Sequence, residues 1–284
     1  MTIQWFPGHM AKAKRQVQEK LKLVDFVIEL VDARAPYSSQ NPMLHKVIQD
    51  KARLVVLMKK DLADPDFTDR WVSFYRKNHA AVAVDVQQSK DISAVVSSAK
   101  ELGQDKLDKL LKKGIRPRPA RAMIIGIPNV GKSTLINRLA HKKIAKTGDR
   151  PGVTTQQQWI KVKKDFELLD TPGILWPKFE DQEVGYRLAA IGTIKDQLLT
   201  LEDIAAFVIR YMQEHYPNVL KDRFAVDPNV TDMVDIFEQI GRKRGCLESG
   251  GRVNFEKTAD IIIRDVRSGR LGRLTLESPD QLFP

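Results

Sequence analysis

Gly126-Ile-Pro-Asn129-Val130-Gly131-Lys132-Ser133 fits the pattern G-x-x-x-x-G-K-[ST] at every position. It follows an apolar run, Ala122 to Ile127, and opens into Thr134-Leu-Ile-Asn-Arg-Leu139, which reads as a helix. Strand, loop and helix in that order give the motif a mechanism. The glycines let backbone N–H groups close around phosphate oxygens, and the new helix adds the positive end of its dipole. Lys132 would reach the β- and γ-phosphates and Ser133 would ligate Mg²⁺, with Asn129, Val130, Gly131 and Thr134 completing the cradle. A glycine-rich turn with a chance lysine is the plain alternative, and the flanking pattern argues against it. The segment predicts a nucleoside triphosphate site.

Two further pieces follow in order. Phe166-Glu-Leu-Leu-Asp170-Thr-Pro-Gly173 is a short apolar strand ending in D-x-x-G. Asp170 is placed to hold the Mg²⁺ shell through water, and the Gly173 N–H to meet the γ-phosphate. Between the loops lies Arg150-Pro-Gly-Val-Thr154-Thr155, rich in turn residues and hydroxyls. Thr154 is the preferred metal and γ-phosphate contact, with Thr155 as its substitute. Each piece is weak alone, and their order and spacing after the phosphate loop make them strong together.

A base-reading element lies upstream. Arg53-Leu-Val-Val-Leu57 has a buried-strand pattern and runs into Met58-Lys59-Lys60-Asp61, which looks like the N-K-x-D element of GTPases with its first position changed. Asp61 would accept hydrogen bonds from the guanine ring N–H and amino group, a pairing adenine lacks, and Lys59 would lay its stem across the base. Met58 cannot supply the polar contacts of an asparagine. The loss of one or two such bonds costs about 1–3 kcal/mol, or roughly 10- to 100-fold in affinity. A solvated K-K-D turn is the alternative. Val84-Asp85-Val86-Gln87 reads as a weaker loop backing the base, through Asp85.

In ordinary GTPases the guanine motif comes last; here it comes first. The domain therefore reads as circularly permuted, which is tolerated when the original ends lie close together at the surface. The basic, proline-rich stretch Lys112-Lys-Gly-Ile-Arg-Pro-Arg-Pro-Ala-Arg121 suits the new join. Strands alternating with helices predict an α/β fold, a mainly parallel sheet flanked by helices with ligands at the strands' carboxyl ends. Expected strands lie near Phe26–Val31, Leu54–Leu57 and Ala81–Val84, with two more around 157–169. After Trp176-Pro177 the spacing becomes helical, in Val184–Ile191, Ile194–Leu199, Leu201–Met212, Thr231–Gly241 and Phe255–Val266. The expected organisation is a permuted P-loop domain over 1–177, opened by a basic helix from about Gly8 to Leu23, then a small all-α domain over 178–284.

Ile3-Gln-Trp-Phe-Pro-Gly-His9-Met10, Asp32-Ala-Arg34, Gln156-Gln-Gln-Trp159 and the permuted order resemble the ribosome biogenesis GTPase A family, bacterial permuted GTPases acting on the large ribosomal subunit. The likeness covers nearly the whole chain, with Met58 departing from the family's usual asparagine. It implies hydrolysis of GTP to GDP and phosphate as a switch in 50S assembly, activated on docking to the subunit. It also implies K⁺ activation through Asn129. The position after D-x-x-G, where many GTPases carry a water-orienting glutamine, is here Ile174. A lone histidine near a terminus reads most simply as solvated, but the resemblance makes His9 the catalytic residue, aligning water or accepting its proton.

Composition agrees. The 284 residues carry a net charge of +11, with 32 basic and 18 acidic residues over 1–177 and 15 against 18 over 178–284. The excess suits rRNA phosphates, although ordinary surface charge would also produce it. Within the tail, Arg242, Arg244, Arg252, Arg264, Arg267, Arg270 and Arg273 form a local basic stripe. The single cysteine, Cys246, excludes an internal disulfide and fits a reducing cytoplasm. A cytoplasmic monomer is expected, with the large ribosomal subunit (rRNA and ribosomal proteins) as partner and neither membrane nor DNA. Two other readings stand beside the GTPase. One is a nucleotide-gated RNA- or ribosome-binding placeholder with little or no hydrolysis; the other is an ATPase or kinase, which conflicts with Asp61.

Overall fold

The computed structural model describes residues 15, 17–48, 51–114, 118–142, 159–162, 166–171, 181–194 and 199–283. The chain divides into two compact units, residues 1–179 with 277–284, and residues 180–276.

The first unit is built on a six-stranded sheet: β1 (Phe26–Asp32), β2 (Ala52–Met58), β3 (Ala80–Val84), β4 (Ala120–Gly126), β5 (Trp159–Val162) and β6 (Phe166–Asp170). Their spatial order is β3-β2-β1-β4-β6-β5. All pairs are parallel except β5 with β6. Every residue of β1 is buried, as expected of a central parallel strand covered on both faces. Registers pair Val27 with Met123 and Arg53, and Val31 with Leu57. These residues therefore share one face. On it one cluster joins Val27, Met123, Ile125 and Leu169 to Val17 and to Leu44 and Val47 of α1 (Pro42–Ile48). A second cluster joins Val31, Val55 and Leu57 to Trp71 and Tyr75 of α2 (Pro65–Arg76). Asp64 starts α2 by accepting from the N–H groups of Asp66 and Phe67, an N-cap placed before Pro65. The opposite face meets α3 (Ser89–Leu111), where a Cβ at Gly103 would lie 2.6 Å from that of Ala120.

The chain runs β1 to β2 to β3 outward, then crosses back to place β4 on the other side of β1. That reversal makes the carboxyl ends of β1 and β4 the topological switch point, the usual ligand position of a doubly wound sheet. The crossover ends firmly: Arg118 makes two 2.7 Å bonds to Asp25, whose second oxygen also accepts from the Arg121 N–H at 2.9 Å. Burial opposes ionisation of Asp25, but Arg118 and Arg121 together hold its carboxyl below the usual range.

The second unit contains α5 (Gln182–Ala190), α6 (Leu201–His215), α7 (Met233–Lys243) and α8 (Phe255–Arg267), numbered after α4 (Lys132–Ala140) of the first. Polar side chains cap their starts. Asp181, Thr200, Asp232 and Asn254 each accept from an N–H two or three residues on. Ile204, Val208, Ile236, Ile240, Ile262 and Ile263 are buried in this unit. The expected helix at Ile194–Leu199 falls mostly outside the described residues, and Ile194 itself lies in a bend. The arginine stripe is largely engaged in local pairs. Arg242 and Arg264 pair with Glu238 and Asp260, one turn back. Arg244 binds buried Asp265 together with Arg223, and Arg267 donates to the carbonyl of Ala189 at 2.7 Å. The unit boundary also differs from the expected one: residues 277–284 leave the helical unit and join the first. Among the described residues no helix is long and apolar enough to cross a membrane.

Candidate nucleotide-binding site

The phosphate-loop segment leaves β4 at Gly126 and enters α4 at Lys132. Its turn requires left-handed backbone at Asn129 (φ 59°) and Gly131 (φ 102°). Gly126 is needed for space: a Cβ there would lie 3.0 Å from Val130 and 3.2 Å from the Leu30 carbonyl. Ser133 and Thr134 follow in the first turn of α4, half-buried and exposed respectively.

Lys132 and Asp170 meet beneath this loop. The Lys132 Nζ lies 2.6 Å from Asp170 Oδ1, with side-chain exposures of 7% and 0%. Burial pushes the Lys132 ammonium below the usual lysine range, against the pull of Asp170. The other carboxylate oxygen, Asp170 Oδ2, is buried with no hydrogen-bond partner among the described residues. A buried carboxylate oxygen left unsatisfied is costly, and a divalent cation is the kind of group that satisfies it. The donor set therefore fits Mg²⁺ at Asp170 and Ser133. Thr171 braces the end of β6 by donating to the Ile124 carbonyl at 2.7 Å.

The guanine-motif strand β2 ends beside these groups. Its register aligns Met58 with Asp32 and with Val84. Met58 is buried, and a Cβ at Gly131 would lie 3.1 Å from its terminal methyl. The thioether thus packs directly on the phosphate loop, an apolar contact at the position where the N-K-x-D element carries a polar asparagine. Met58→Asn should tighten GDP binding by about tenfold, the worth of one regained hydrogen bond. An unchanged Kd by isothermal titration would mean that this packing already holds the loop.

Lys59 adopts left-handed backbone (φ 59°) and sends its ammonium 2.9 Å from Asp32 Oδ2. Asp32 also takes two bonds from the Arg34 guanidinium, at 2.9 and 2.8 Å, and the Arg34 N–H at 3.1 Å. Burial opposes the charge on Asp32, yet Arg34 and then Lys59 hold its carboxyl far below the usual range. The Asp32-Ala-Arg34 segment, given no separate role above, is thereby the anchor of the lysine. Its signal in sequence was an acid and a base two apart at the end of an apolar strand. Asp61 lies exposed in the short turn Lys60–Leu62. Asp85 is part of an adjoining turn: it accepts from the Gln87 N–H at 2.8 Å, and its own N–H donates to Asp91 at 3.0 Å. Gln87 in turn receives Arg138 of α4 at 2.6 Å. The structure therefore brings together Met58, Lys59, Asp85, Asn129 to Thr134 and Asp170, with Asp61 beside them. His9, Thr154, Thr155, Gly173 and Ile174 lie outside the described residues.

Comparison with known proteins gives the same picture. The family described as 50S ribosome-binding GTPase matches residues 121–237. Ribosome biogenesis GTPase A of Bacillus cereus is 56% identical over 282 residues, covering 99% of this chain and 95% of that protein. The Thermotoga maritima protein of the same name is 31% identical, covering 99% and 97%. Among solved structures, GNP-bound YlqF from T. maritima matches with a TM-score of 0.63 at 27% identity, covering 95% of this chain and 99% of that one. A GDP-bound form of TM YlqF gives a TM-score of 0.64. With 56% of its residues identical to the Bacillus cereus protein over 99% of the chain, and with Met58–Asp61 preceding the phosphate loop and both following the carboxyl ends of parallel strands, the chain belongs to the ribosome biogenesis GTPase A family.

Proposed function

We propose that the protein hydrolyses GTP as a switch in assembly of the large ribosomal subunit, slowly alone and faster when docked on that subunit. The observation that carries this reading is the Lys132–Asp170 pair at the phosphate loop, with one Asp170 oxygen buried and without a hydrogen-bond partner among the described residues. That pair is poised to be exchanged: Lys132 turns to the β- and γ-phosphates while Asp170 and Ser133 hold Mg²⁺, Asp170 through water. When bound, Mg²⁺ neutralises charge on the phosphates. Backbone N–H groups from Asn129 to Thr134 close on the same oxygens. Met58, Lys59, Asp61 and Asp85 receive the guanine base. Thr154 and Gly173 would report the γ-phosphate, Asn129 would take K⁺, and His9 would orient water in the role Ile174 cannot fill. Ribosome binding rests on the names of the relatives, and the basic excess of residues 1–177 suits rRNA as the surface met.

The test is multiple-turnover GTP hydrolysis with Mg²⁺ and K⁺, with and without purified large ribosomal subunits. Stimulation of at least about tenfold is expected, since lowering a barrier by 1.36 kcal/mol already gives that factor, and His9→Ala should remove it. A flat, near-zero rate with GTP still bound would reject the hydrolytic switch in favour of a nucleotide-gated placeholder, the reading that the apolar Met58 favours.

A further inference from the structure

On the reading that Met58 to Asp61 receive the base, we propose that Glu277 is a positioning residue for guanine recognition, acting through the loop at residues 33–41. Glu277 is buried although it lies about 240 positions from the loop it holds. Its carboxylate accepts the Tyr37 N–H, the Ser38 N–H at 3.0 and 3.3 Å, and the Ser38 hydroxyl at 2.5 Å. Its carbonyl accepts from the Trp71 indole at 3.0 Å. The residues after it reinforce the hold: the Phe283 ring stacks 4.8 Å from Phe74 and meets Tyr37 edge-on at 5.5 Å. A return over that many residues is entropically costly, and a buried carboxylate is tolerated only when well bonded.

The same loop ends at the guanine motif. Ser39 Oγ accepts the Asp32 N–H at 2.8 Å, and the Ala33 N–H donates to the Met58 carbonyl at 2.8 Å. Asp32 holds the Lys59 ammonium. Lys59 keeps a left-handed backbone that a lysine adopts only when its surroundings impose it. This backbone aims the turn carrying Asp61, two residues on. The path from Glu277 to Asp61 therefore runs through Ser38, Ser39, Asp32 and Lys59, each step a hydrogen bond or one or two residues of chain. Releasing Glu277 frees the loop, slackens the Asp32–Lys59 tether and misaims the Asp61 carboxylate, whose bonds to the base are directional.

The experiment compares GDP with IDP, which lacks the amino group that Asp61 would bind, in Glu277→Ala, Glu277→Gln and Phe283→Ala of the full chain. Affinities are read well below each variant's Tm. Glu277→Ala should weaken GDP about tenfold and IDP much less, collapsing the GDP/IDP ratio. Gln keeps an amide oxygen acceptor and should restore most of the ratio, with Phe283→Ala intermediate. Equal weakening of both nucleotides, or an unmoved ratio with a lowered Tm, would make Glu277 merely structural and overturn the proposal. If Glu277→Ala does not fold, Phe283→Ala carries the comparison, with a fall in its GDP/IDP ratio expected and an unmoved ratio overturning the proposal. Asp61→Asn is the control. A GDP/IDP ratio that it leaves unchanged shows the base reading itself to be wrong, whereas a ratio that falls in Asp61→Asn but not in the Glu277 and Phe283 variants rejects only the role of Glu277.

Discussion

Lys132→Ala is expected to remove most of the affinity for nucleotide. Two charge-assisted bonds to phosphate oxygens are worth about 1.5–3 kcal/mol each, so affinity should fall roughly 10²- to 10⁴-fold. The substitution has a second effect that the structure makes visible. Lys132 is the partner of Asp170, whose carboxylate is fully buried, and stripping one member from a buried pair costs about 3–5 kcal/mol of stability. A lowered Tm should therefore accompany the lost binding. The two effects separate in the double variant Lys132→Ala with Asp170→Asn, which removes the stranded charge. It should recover much of the melting temperature and none of the binding. If Lys132→Ala alone binds GTP within about tenfold of the parent, the phosphate-loop assignment is wrong whatever its stability.

The sheet was largely legible because its strands are apolar runs of the right length bounded by turn residues. The parallel order followed from the alternation of Leu54–Leu57, a helical stretch around 67–78 (found at Pro65–Arg76) and Ala81–Val84. The direction of Met58 was not legible. It ends Val55-Val56-Leu57-Met58, a run buried on both faces, where alternation carries no contrast between inside and outside. Only the pairing with Asp32 and Val84, and the position of α4, show that its methyl reaches Gly131. The tail failed for a different reason. Pro279–Leu282 is a single helical turn, too short for periodicity, and its partners Tyr37, Trp71 and Phe74 lie some two hundred positions back. Charge counting could not show the local pairing in the helical unit. The basic stripe was a count of arginines, while Asp260, Asp265, Glu238 and a helix-end carbonyl already engage several of them.

The permuted order costs the site nothing. Its groups come from the ends of β1, β2, β3, β4 and β6, and parallel strands bring those ends to one edge regardless of which is made first. Permutation does change what the chain ends can influence. With the guanine motif early and the helical unit last, the tail after residue 276 comes back to the loop beside Asp32. On the reading proposed above, the Met58–Asp61 element is braced twice, by the phosphate loop packed on Met58 and by the tail through Glu277.

Asp61→Asn should exchange guanine for xanthine as the preferred base. Asp61 offers two acceptors, matching the ring N–H and the exocyclic amino group of guanine. Xanthine keeps that N–H but presents a carbonyl in place of the amino group. The carboxylate meets that carbonyl with repulsion, whereas an asparagine amide can donate to it while its oxygen still accepts the N–H. The substitution should therefore weaken GTP by about 10²-fold, the loss of one bond to a charged group plus an unmatched pair of donors, and strengthen XTP by a similar factor. Because Asp61 is exposed and lies in a turn, the fold should be untouched and the Tm unchanged, which distinguishes this result from that at Lys132. Met58 sharpens the expectation. A buried thioether adds no polar contact to either base, so discrimination should rest mainly on Asp61, and its exchange should invert the preference rather than merely blunt it. A competition titration of GTP against XTP decides the matter: a preference for GTP that survives unchanged places base reading elsewhere in the chain.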